Sequence, residues 1–237
     1  MSLSADMPWR SMRLVFTRLL RRRADLEIVG RERIPRRGAV IVAARHVHHA
    51  FDGAALLQAI ERPTSMVVTL DWLPPGRRRE LLAALCRAAR WPAVIRSEQF
   101  APASGKRDPE AVRRLRAAIE ESVVVLGDGR VLVVFPEGYP NVDPHGSPKA
   151  GLDEMLPFRE GYLHIAARLH RQTGNAVTIL PAGFAYRAPE GDRPRMDDRW
   201  RIRLAFGKPV TLGPNDDVAS VNRTVEDEVR LLSGLLA

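Results

Sequence analysis

Cysteine is almost absent from this chain of 237 residues, since Cys86 is the only one. A single thiol excludes an intrachain disulfide and a metal cluster held by several thiolates. Cys86 ends a run of leucines and alanines, residues 81–86, which predicts a buried and unreactive thiol. Sparse cysteine is also typical of a reducing compartment, so the sequence predicts a cytoplasmic protein.

Long apolar runs are missing as well. No stretch approaches the roughly eighteen consecutive apolar residues that indicate a membrane-spanning helix, and the N-terminal region has no apolar core of a signal peptide. The sequence therefore predicts neither feature. With 45% hydrophobic and 27% charged residues, the composition fits one α/β domain with a full core and a short extension.

Aromatic residues make up only 6% of the chain, and the formal net charge is +9, carried mainly by arginine. A basic surface attracts nucleic acid, anionic lipid or a phosphorylated small molecule. Zinc-finger spacing and basic strands interleaved with aromatic residues are both absent, which argues against nucleic acid. We therefore expect an anionic lipid surface or a phosphate-bearing molecule as partner, and no nucleic acid.

Residues 8–23 predict a basic amphipathic helix. Its apolar residues, which recur at helical spacing, are Trp9, Met12, Val15, Phe16, Leu19 and Leu20, and arginines fill much of the remainder. Such a helix is typical of a membrane interface, which predicts a peripheral, monotopic protein on the inner face of the cell membrane. Trp9, Phe16 and Leu20 would then face the lipid. The alternative is that this stripe packs on the protein's own core. We divide the chain into this segment, residues 1–24, and a single domain, residues 25–237.

Beyond the first helix, predicted strands alternate with predicted helices. Strands are predicted at residues 25–30, 39–44, 66–70, 93–95, 131–135, 176–180 and 201–206, and helices at residues 54–60, 78–89, 109–126, 160–171 and 221–236. Residues 141–156, rich in proline, glycine, serine and charge, are predicted to be a loop or lid. The alternation predicts an α/β fold with a mainly parallel central sheet flanked by helices.

Three histidines lie where the apolar strand at residues 39–44 leads into a helix. His46, His48 and His49 are followed closely by Asp52. Catalytic groups are common at such strand ends in α/β sheets. A histidine oriented by a carboxylate is the usual general base for a hydroxyl. The alternative is that these histidines merely cap the helix, but a cluster of three beside a carboxylate favours catalysis.

With these motifs placed, the chain resembles the PlsC-type glycerolipid acyltransferases, which are 1-acylglycerol-3-phosphate or lysophospholipid acyltransferases. The resemblance covers residues 26–232 and rests on the order of several motifs. They are His46 with Asp52, Arg96 after an apolar strand, Phe-Pro-Glu-Gly at residues 135–138, and an apolar strand ending in proline at residues 179–181. Supporting similarities lie at residues 128–130, 157–161 and 206–209.

The resemblance implies a glycerol-3-phosphate acyltransferase-like fold and a reaction in phospholipid synthesis. A fatty acyl group would move from an acyl-CoA or acyl-carrier-protein thioester to the hydroxyl of a lysophospholipid or glycerol phosphate. The thioester is the co-substrate, and no further cofactor or metal is implied. By the same resemblance, Glu137 and Gly138 shape the acceptor site. Arg96 would hold an anionic headgroup, because a guanidinium grips phosphate through two hydrogen bonds.

The chain departs from the family at the histidine motif. Five residues separate His46 from Asp52 and three separate His48 from it, where the family has four. Arg45 replaces the usual asparagine, and Tyr-Pro-Asn follows Gly138 in place of Thr-Arg-Ser. We predict His46 as the base, because it follows the strand directly. His48 is the second candidate, since at i, i+4 it would share a helix face with Asp52, and His49 is the third.

Two other functions stay open. A catalytically altered, lipid-binding homologue would explain the changed spacing. Alternatively, the pair His46 and His48 resembles the first two ligands of metallo-β-lactamase-like hydrolases, and further ligands could come only from His145, His164 or His170. Acyl transfer by a histidine–aspartate pair is the function that the ordered motifs favour.

Overall fold

The computed structural model describes residues 7–70, 73–74, 76–94, 109–143, 146–187, 199–213 and 215–235. The helices in these ranges are α1 (Met7–Arg23), α2 (Phe51–Ala59), α3 (Arg77–Ala89), α4 (Pro109–Gly127), α5 (Gly161–Thr173) and α6 (Val218–Leu232). The strands are β1 (Ala24–Val29), β2 (Ala39–Ala44), β3 (Thr64–Met66), β4 (Val68–Thr69), β5 (Ala93–Val94), β6 (Val131–Val134), β7 (Val177–Arg187), β8 (Trp200–Phe206) and β9 (Val210–Leu212).

One large sheet organises the described part of the chain. Its strand order is β1-β8-β7-β2-β6-β3, and β9 pairs with β7 beside this path. The neighbours are parallel at β1–β8, β7–β2, β2–β6 and β6–β3, whereas β8 and β9 run antiparallel to β7. The short strands β4 and β5 form a separate parallel pair. The predicted mainly parallel sheet flanked by helices is confirmed.

Strand β2 lies in the middle of the sheet, and both of its faces are buried. Val40, Val42 and Ala44 pack on the side covered by α1, α2 and α3. Ile41 and Ala43 pack on the opposite side, which α4, α5 and α6 cover. Each buried Val or Ile stabilises the fold by roughly 1.5–3 kcal/mol. This packing explains why the strand reads as an uninterrupted apolar run, and it fixes the position of the histidines that follow.

Helix α1 packs part of its apolar stripe on the protein's own core. Trp9 and Leu20 are buried, and Phe16 stacks on Trp91 with ring centroids 6.3 Å apart. Arg13 donates hydrogen bonds to the last carbonyl oxygens of α2, a favourable place for a cation. The prediction that Trp9, Phe16 and Leu20 face a membrane is therefore wrong, because the core already covers them. No helix in the described ranges is long and apolar enough to cross a membrane.

Strand β7 is longer than the sequence predicts. The expected strand ends at Leu180, whereas β7 continues through Pro181 to Arg187. Pro181 lies where the antiparallel partner of β7 changes from β9 to β8, so its missing N–H is tolerated there. The additional residues carry Tyr186 toward the histidine motif.

Other element boundaries differ by a few residues. The strand predicted at residues 66–70 is divided, because β3 pairs with β6 while β4 pairs with β5. Helix α2 begins at Phe51, before the predicted start at Ala54. Helix α6 begins at Val218, where the Asp217 side chain accepts two backbone N–H groups and caps the helix. Strand β9 was not predicted.

Candidate active site

The histidine motif and the Phe-Pro-Glu-Gly motif lie at the carboxyl edge of two adjacent parallel strands. Ala43 near the end of β2 pairs with Val134 at the end of β6. The chain leaving β2 therefore carries His46 to the same edge as Glu137, which follows β6. Ligands bind at this edge in open α/β sheets. The structure places the two motifs next to each other, as the sequence predicts.

The imidazole of His46 contacts Asp52 directly. Its Nδ1 lies 2.9 Å from Asp52 Oδ2, and its ring stacks on Phe135 with centroids 4.1 Å apart. The Asp52 side chain is fully buried, whereas the His46 side chain keeps 14% of its surface exposed. A carboxylate oxygen beside Nδ1 favours the tautomer that has its proton on Nδ1, and this tautomer leaves Nε2 without a proton. Five intervening residues do not prevent the contact.

The Asp52 carboxylate is held by three further donors. Its Oδ2 also accepts the backbone N–H groups of Val47 and His48, at 2.6 and 2.9 Å. Its Oδ1 accepts the Tyr186 hydroxyl at 2.5 Å. Burial and the nearby carboxylate raise the pKa of Tyr186 well above its ordinary value, so the phenol stays protonated and donates. These bonds fix the Asp52 carboxylate beside the imidazole.

The His48 ring contacts the backbone at the start of α2. Its buried Nδ1 accepts the backbone N–H groups of Ala50 and Phe51, where α2 begins. Burial lowers the pKa of His48 to about 4, so the ring is neutral near pH 7. Because α2 begins at Phe51, His48 lies before the helix and does not share a helix face with Asp52. Its backbone, and not its ring, bonds to that carboxylate.

His49 is held by its main chain. Its N–H donates to the Val142 carbonyl oxygen at 3.2 Å, and burial lowers the pKa of its ring. Among the three histidines, the ring contact with Asp52 that the structure describes belongs to His46.

Glu137 is buried and directs both carboxylate oxygens toward the protein itself. Its Oε1 accepts the backbone N–H of His46 at 2.7 Å. Its Oε2 accepts the Leu156 N–H at 2.8 Å and lies 2.6 Å from Lys149 Nζ. These contacts link the Phe-Pro-Glu-Gly motif to the histidine motif. The acceptor-binding role of Glu137 stays a prediction.

Gly138 ends the turn after β6. Its φ of 80° lies in the left-handed region that favours glycine, and its N–H donates to the Phe135 carbonyl oxygen. The guanidinium of exposed Arg159 lies 3.8 Å from where a Cβ on Gly138 would be. Arg159 belongs to the motif at residues 157–161, and no role was predicted for it from the sequence. The predicted headgroup ligand, Arg96, lies outside the described residues.

The predicted loop at residues 141–156, where it is described, packs against the histidine motif. Val142 donates its N–H to the Val47 carbonyl oxygen at 2.7 Å. Buried Arg45 donates to the carbonyl oxygens of Phe184 and Leu152, which joins β7 to this loop. Burial lowers the pKa of Arg45, and the nearby carboxylates oppose that shift. Neither Arg45 nor Lys149 was assigned a role from the sequence.

The described residues contain no group of three His, Cys, Asp or Glu side chains placed to hold a metal ion. His164 is exposed beside Glu160, and His170 lies within hydrogen-bond distance of the Asn175 carbonyl oxygen. His145 lies outside the described ranges. At His46 the structure places an imidazole against a fully buried carboxylate.

Comparison with known proteins identifies the family of the chain. The sequence profile of the acyltransferase family matches residues 25–185, more than half of the chain, and the protein therefore belongs to this family of enzymes. Its structure is similar to that of PlsC, the 1-acyl-sn-glycerophosphate acyltransferase of Thermotoga maritima. The two share 20% sequence identity with a TM-score of 0.64, over 94% of this chain and 77% of that chain. At this identity the likeness shows a common fold. No curated protein matches the sequence.

Proposed function

We propose that the protein moves a fatty acyl group from an acyl-CoA or acyl-carrier-protein thioester to the hydroxyl of a lysophospholipid or glycerol phosphate in phospholipid synthesis. The observation that carries this proposal is the His46–Asp52 pair, which lies at the sheet edge of a chain in the acyltransferase family. A thioester is already activated, so the reaction requires no covalent enzyme intermediate and no cofactor besides the donor.

His46 is the proposed general base. Its Nε2 takes the proton of the acceptor hydroxyl while that oxygen forms a bond to the thioester carbonyl carbon. The tetrahedral intermediate then breaks its C–S bond, and the leaving thiolate takes the proton back from the imidazolium. Asp52 holds the Nδ1–H tautomer and stabilises the imidazolium. A placed base contributes roughly 10²–10⁴-fold to the rate.

The acceptor's phosphate is proposed to bind beside Gly138. Arg159 stands next to this turn and is exposed, and Arg96 is the second predicted guanidinium. A guanidinium matches phosphate oxygens through two parallel hydrogen bonds. The φ of Gly138 lets the chain turn sharply after Glu137, which supports its predicted role in shaping the acceptor site.

The membrane partner is proposed to contact a surface other than the buried stripe of α1. Large apolar side chains are exposed on the outer sides of α1 and α3, and these are Met7, Leu14, Val15, Leu19, Leu81 and Leu85. Exposed arginines lie on the same helices, namely Arg10, Arg18, Arg77, Arg78 and Arg87. Apolar burial favours insertion by about 25 cal/mol per Å². Each arginine adds roughly 1 kcal/mol near anionic lipid. We call these two helix sides the basic apolar surface.

An acceptor screen tests the reaction. The protein is incubated with a long-chain acyl-CoA, or with an acyl-carrier protein, and with lysophosphatidate, other lysophospholipids or glycerol phosphate. Product is detected by mass. We expect acylated product from a phosphate-bearing acceptor, and no product with the His46→Ala variant. Absence of product in every combination would refute the proposal, and lysophospholipid binding without turnover would indicate the lipid-binding homologue instead.

A further inference from the structure

Lys149 is a buried cation beside the proposed base. Its side chain is completely inaccessible, although it comes from the loop at residues 141–156. The chain has 37 basic residues, of which only three are lysines. A buried ammonium costs several kcal/mol unless it is paired and hydrogen-bonded. The contacts of Lys149 therefore indicate a specific task.

The ammonium of Lys149 has three acceptors around it. Nζ lies 2.6 Å from Glu137 Oε2, 2.7 Å from the His46 carbonyl oxygen and 3.2 Å from Asn141 Oδ1. A lysine ammonium has three donors and no acceptor, so all three donors are used. Burial lowers the pKa of Lys149, while the Glu137 carboxylate opposes this effect and favours the charged form. A planar guanidinium could not donate to three acceptors from one nitrogen.

The ion pair holds both peptide groups of His46. Glu137 Oε1 accepts the His46 N–H at 2.7 Å, and Lys149 Nζ donates to the His46 carbonyl oxygen at 2.7 Å. Residues 45–47 belong to no helix or strand, so no regular ladder of hydrogen bonds fixes this backbone. Because the peptide groups on both sides of the His46 Cα are fixed, the direction of its Cα–Cβ bond is fixed as well, so that the ring reaches Asp52 and Phe135.

We propose that the Lys149–Glu137 ion pair positions the imidazole of His46 for proton transfer. This inference rests on the proposed function, in which His46 is the base. Lys149 is a positioning residue, since its contacts are with Glu137, Asn141 and the His46 backbone. Its loss leaves the imidazole free to move away from Asp52, and a misplacement of about 1 Å is enough to cost roughly 10²-fold in rate.

The Lys149→Met variant tests the proposal, with Lys208→Met as the matched control at an exposed lysine. We expect Lys149→Met to lower kcat by about 10- to 100-fold and to leave KM for lysophosphatidate within about twofold. Lys208→Met should behave as the unaltered protein. Unchanged kcat in folded Lys149→Met would overturn the proposal. So would a raised KM with unchanged kcat, since that result would assign the pair to acceptor binding.

A nitrogen–proton NMR spectrum of the histidine rings gives a second readout that needs no turnover. The unaltered protein should show the Nδ1–H signal of His46, assigned with His46→Gln, and Lys149→Met should lose it or broaden it. An intact signal would overturn the proposal. This experiment remains decisive even if no acyl transfer is found, so the two failures are distinguishable.

Removing one member of a buried ion pair strongly destabilises a protein, so Lys149→Met alone is not sufficient. The double variant Glu137→Gln with Lys149→Met removes both buried charges. We expect it to fold and to show the same loss of kcat and of the His46 signal. A folded double variant with both unchanged would overturn the proposal. A double variant that cannot fold would also overturn it, because the pair would then serve the fold and not the imidazole.

Discussion

Tyr186 donates its hydroxyl to the Asp52 carboxylate across 2.5 Å, from a position 134 residues further along the chain. The other oxygen of this carboxylate faces the His46 ring and two backbone N–H groups. The far end of β7 therefore orients the carboxylate that orients the proposed base. We therefore expect substitutions of Tyr186 to alter the orientation of the His46 ring.

We expect Tyr186→Phe to lower kcat. The substitution removes the phenol hydroxyl, so Asp52 Oδ1 loses this hydrogen-bond donor. A lost hydrogen bond of roughly 1–1.5 kcal/mol corresponds to about a five- to tenfold slower reaction. Tyr162→Phe is the matched control, because its hydroxyl donates to Asn222 Oδ1 in the core on the opposite face of the sheet. Both variants should lose thermal stability, and only Tyr186→Phe should lose turnover. Equal kcat in the two variants would contradict this prediction.

His46→Ala and Asp52→Asn should each lower kcat by two decades or more, on the order of a general base's contribution. Asparagine at position 52 can donate to Nδ1 and so favour the wrong tautomer, as in the serine-protease triad. Initial rates at saturating donor, with circular dichroism to confirm folding, measure the effect. His49→Ala is the control and should stay active. A fully active His46→Ala would remove His46 from the mechanism.

Acid should destabilise the protein through His48. In the unfolded chain this histidine binds a proton below its ordinary pKa of 6.5, whereas in the folded protein it does so only near pH 4. The contribution of His48 is therefore fully present above pH 6.5 and is lost as the pH falls toward 4. The slope is at most about 1.4 kcal/mol per pH unit.

Urea unfolding at pH 7 and pH 5 checks this prediction with His48→Asn, whose side-chain oxygen can still accept the N–H groups at the start of α2. The free energy of unfolding should fall less on acidification in His48→Asn than in the unaltered protein. The exposed control His164→Asn should keep the full dependence. Identical pH dependence in His48→Asn and the unaltered protein would count against a buried neutral His48.

Binding to anionic vesicles should depend on the basic apolar surface. Removing residues 1–24 is a poor test, because it would also take Trp9 and Leu20 out of the core. We expect Leu81→Gln with Leu85→Gln to weaken co-sedimentation with phosphatidylglycerol vesicles several-fold. Leu231→Gln is the control, since Leu231 is 57% exposed on α6, on the opposite side of the sheet. Equal binding by all three proteins would exclude α3 from the membrane contact.

The sequence predicts well where the histidine motif lies in the fold, and it predicts poorly which residues contact that motif. Strand β2 and His46 were found because a strand buried on both faces is an apolar run, and a polar cluster at its end stands out. Tyr186 was missed because Pro181 reads as the end of a strand. Lys149 was missed because the composition of its loop carries no period, so its burial depends only on tertiary contacts.

The environment of the amphipathic helix α1 could not be predicted from its sequence either. A 3.6-residue period indicates that one face of α1 is covered, but it does not indicate whether lipid or protein covers that face. Trp9 and Leu20 fit a lipid interface and a protein core equally well by composition. The choice depends on whether the neighbouring helix α2 offers an apolar surface, which Leu56 and Leu57 do. No local pattern in the first 24 residues contains that information.

The neighbour of β1 in the sheet is β8, with Ala24 beside Trp200. A ribosome releases the chain from its N-terminus, and long-range strand pairs form slowly. Strand β1 therefore emerges long before its partner, and the two strands pair only after residue 206 has been made. Any chain that stops before Tyr186 lacks the hydroxyl that donates to Asp52, and it also lacks β8. A nascent or truncated chain that ends there has the histidines but lacks the strands that orient them. We expect such a chain not to react with thioesters.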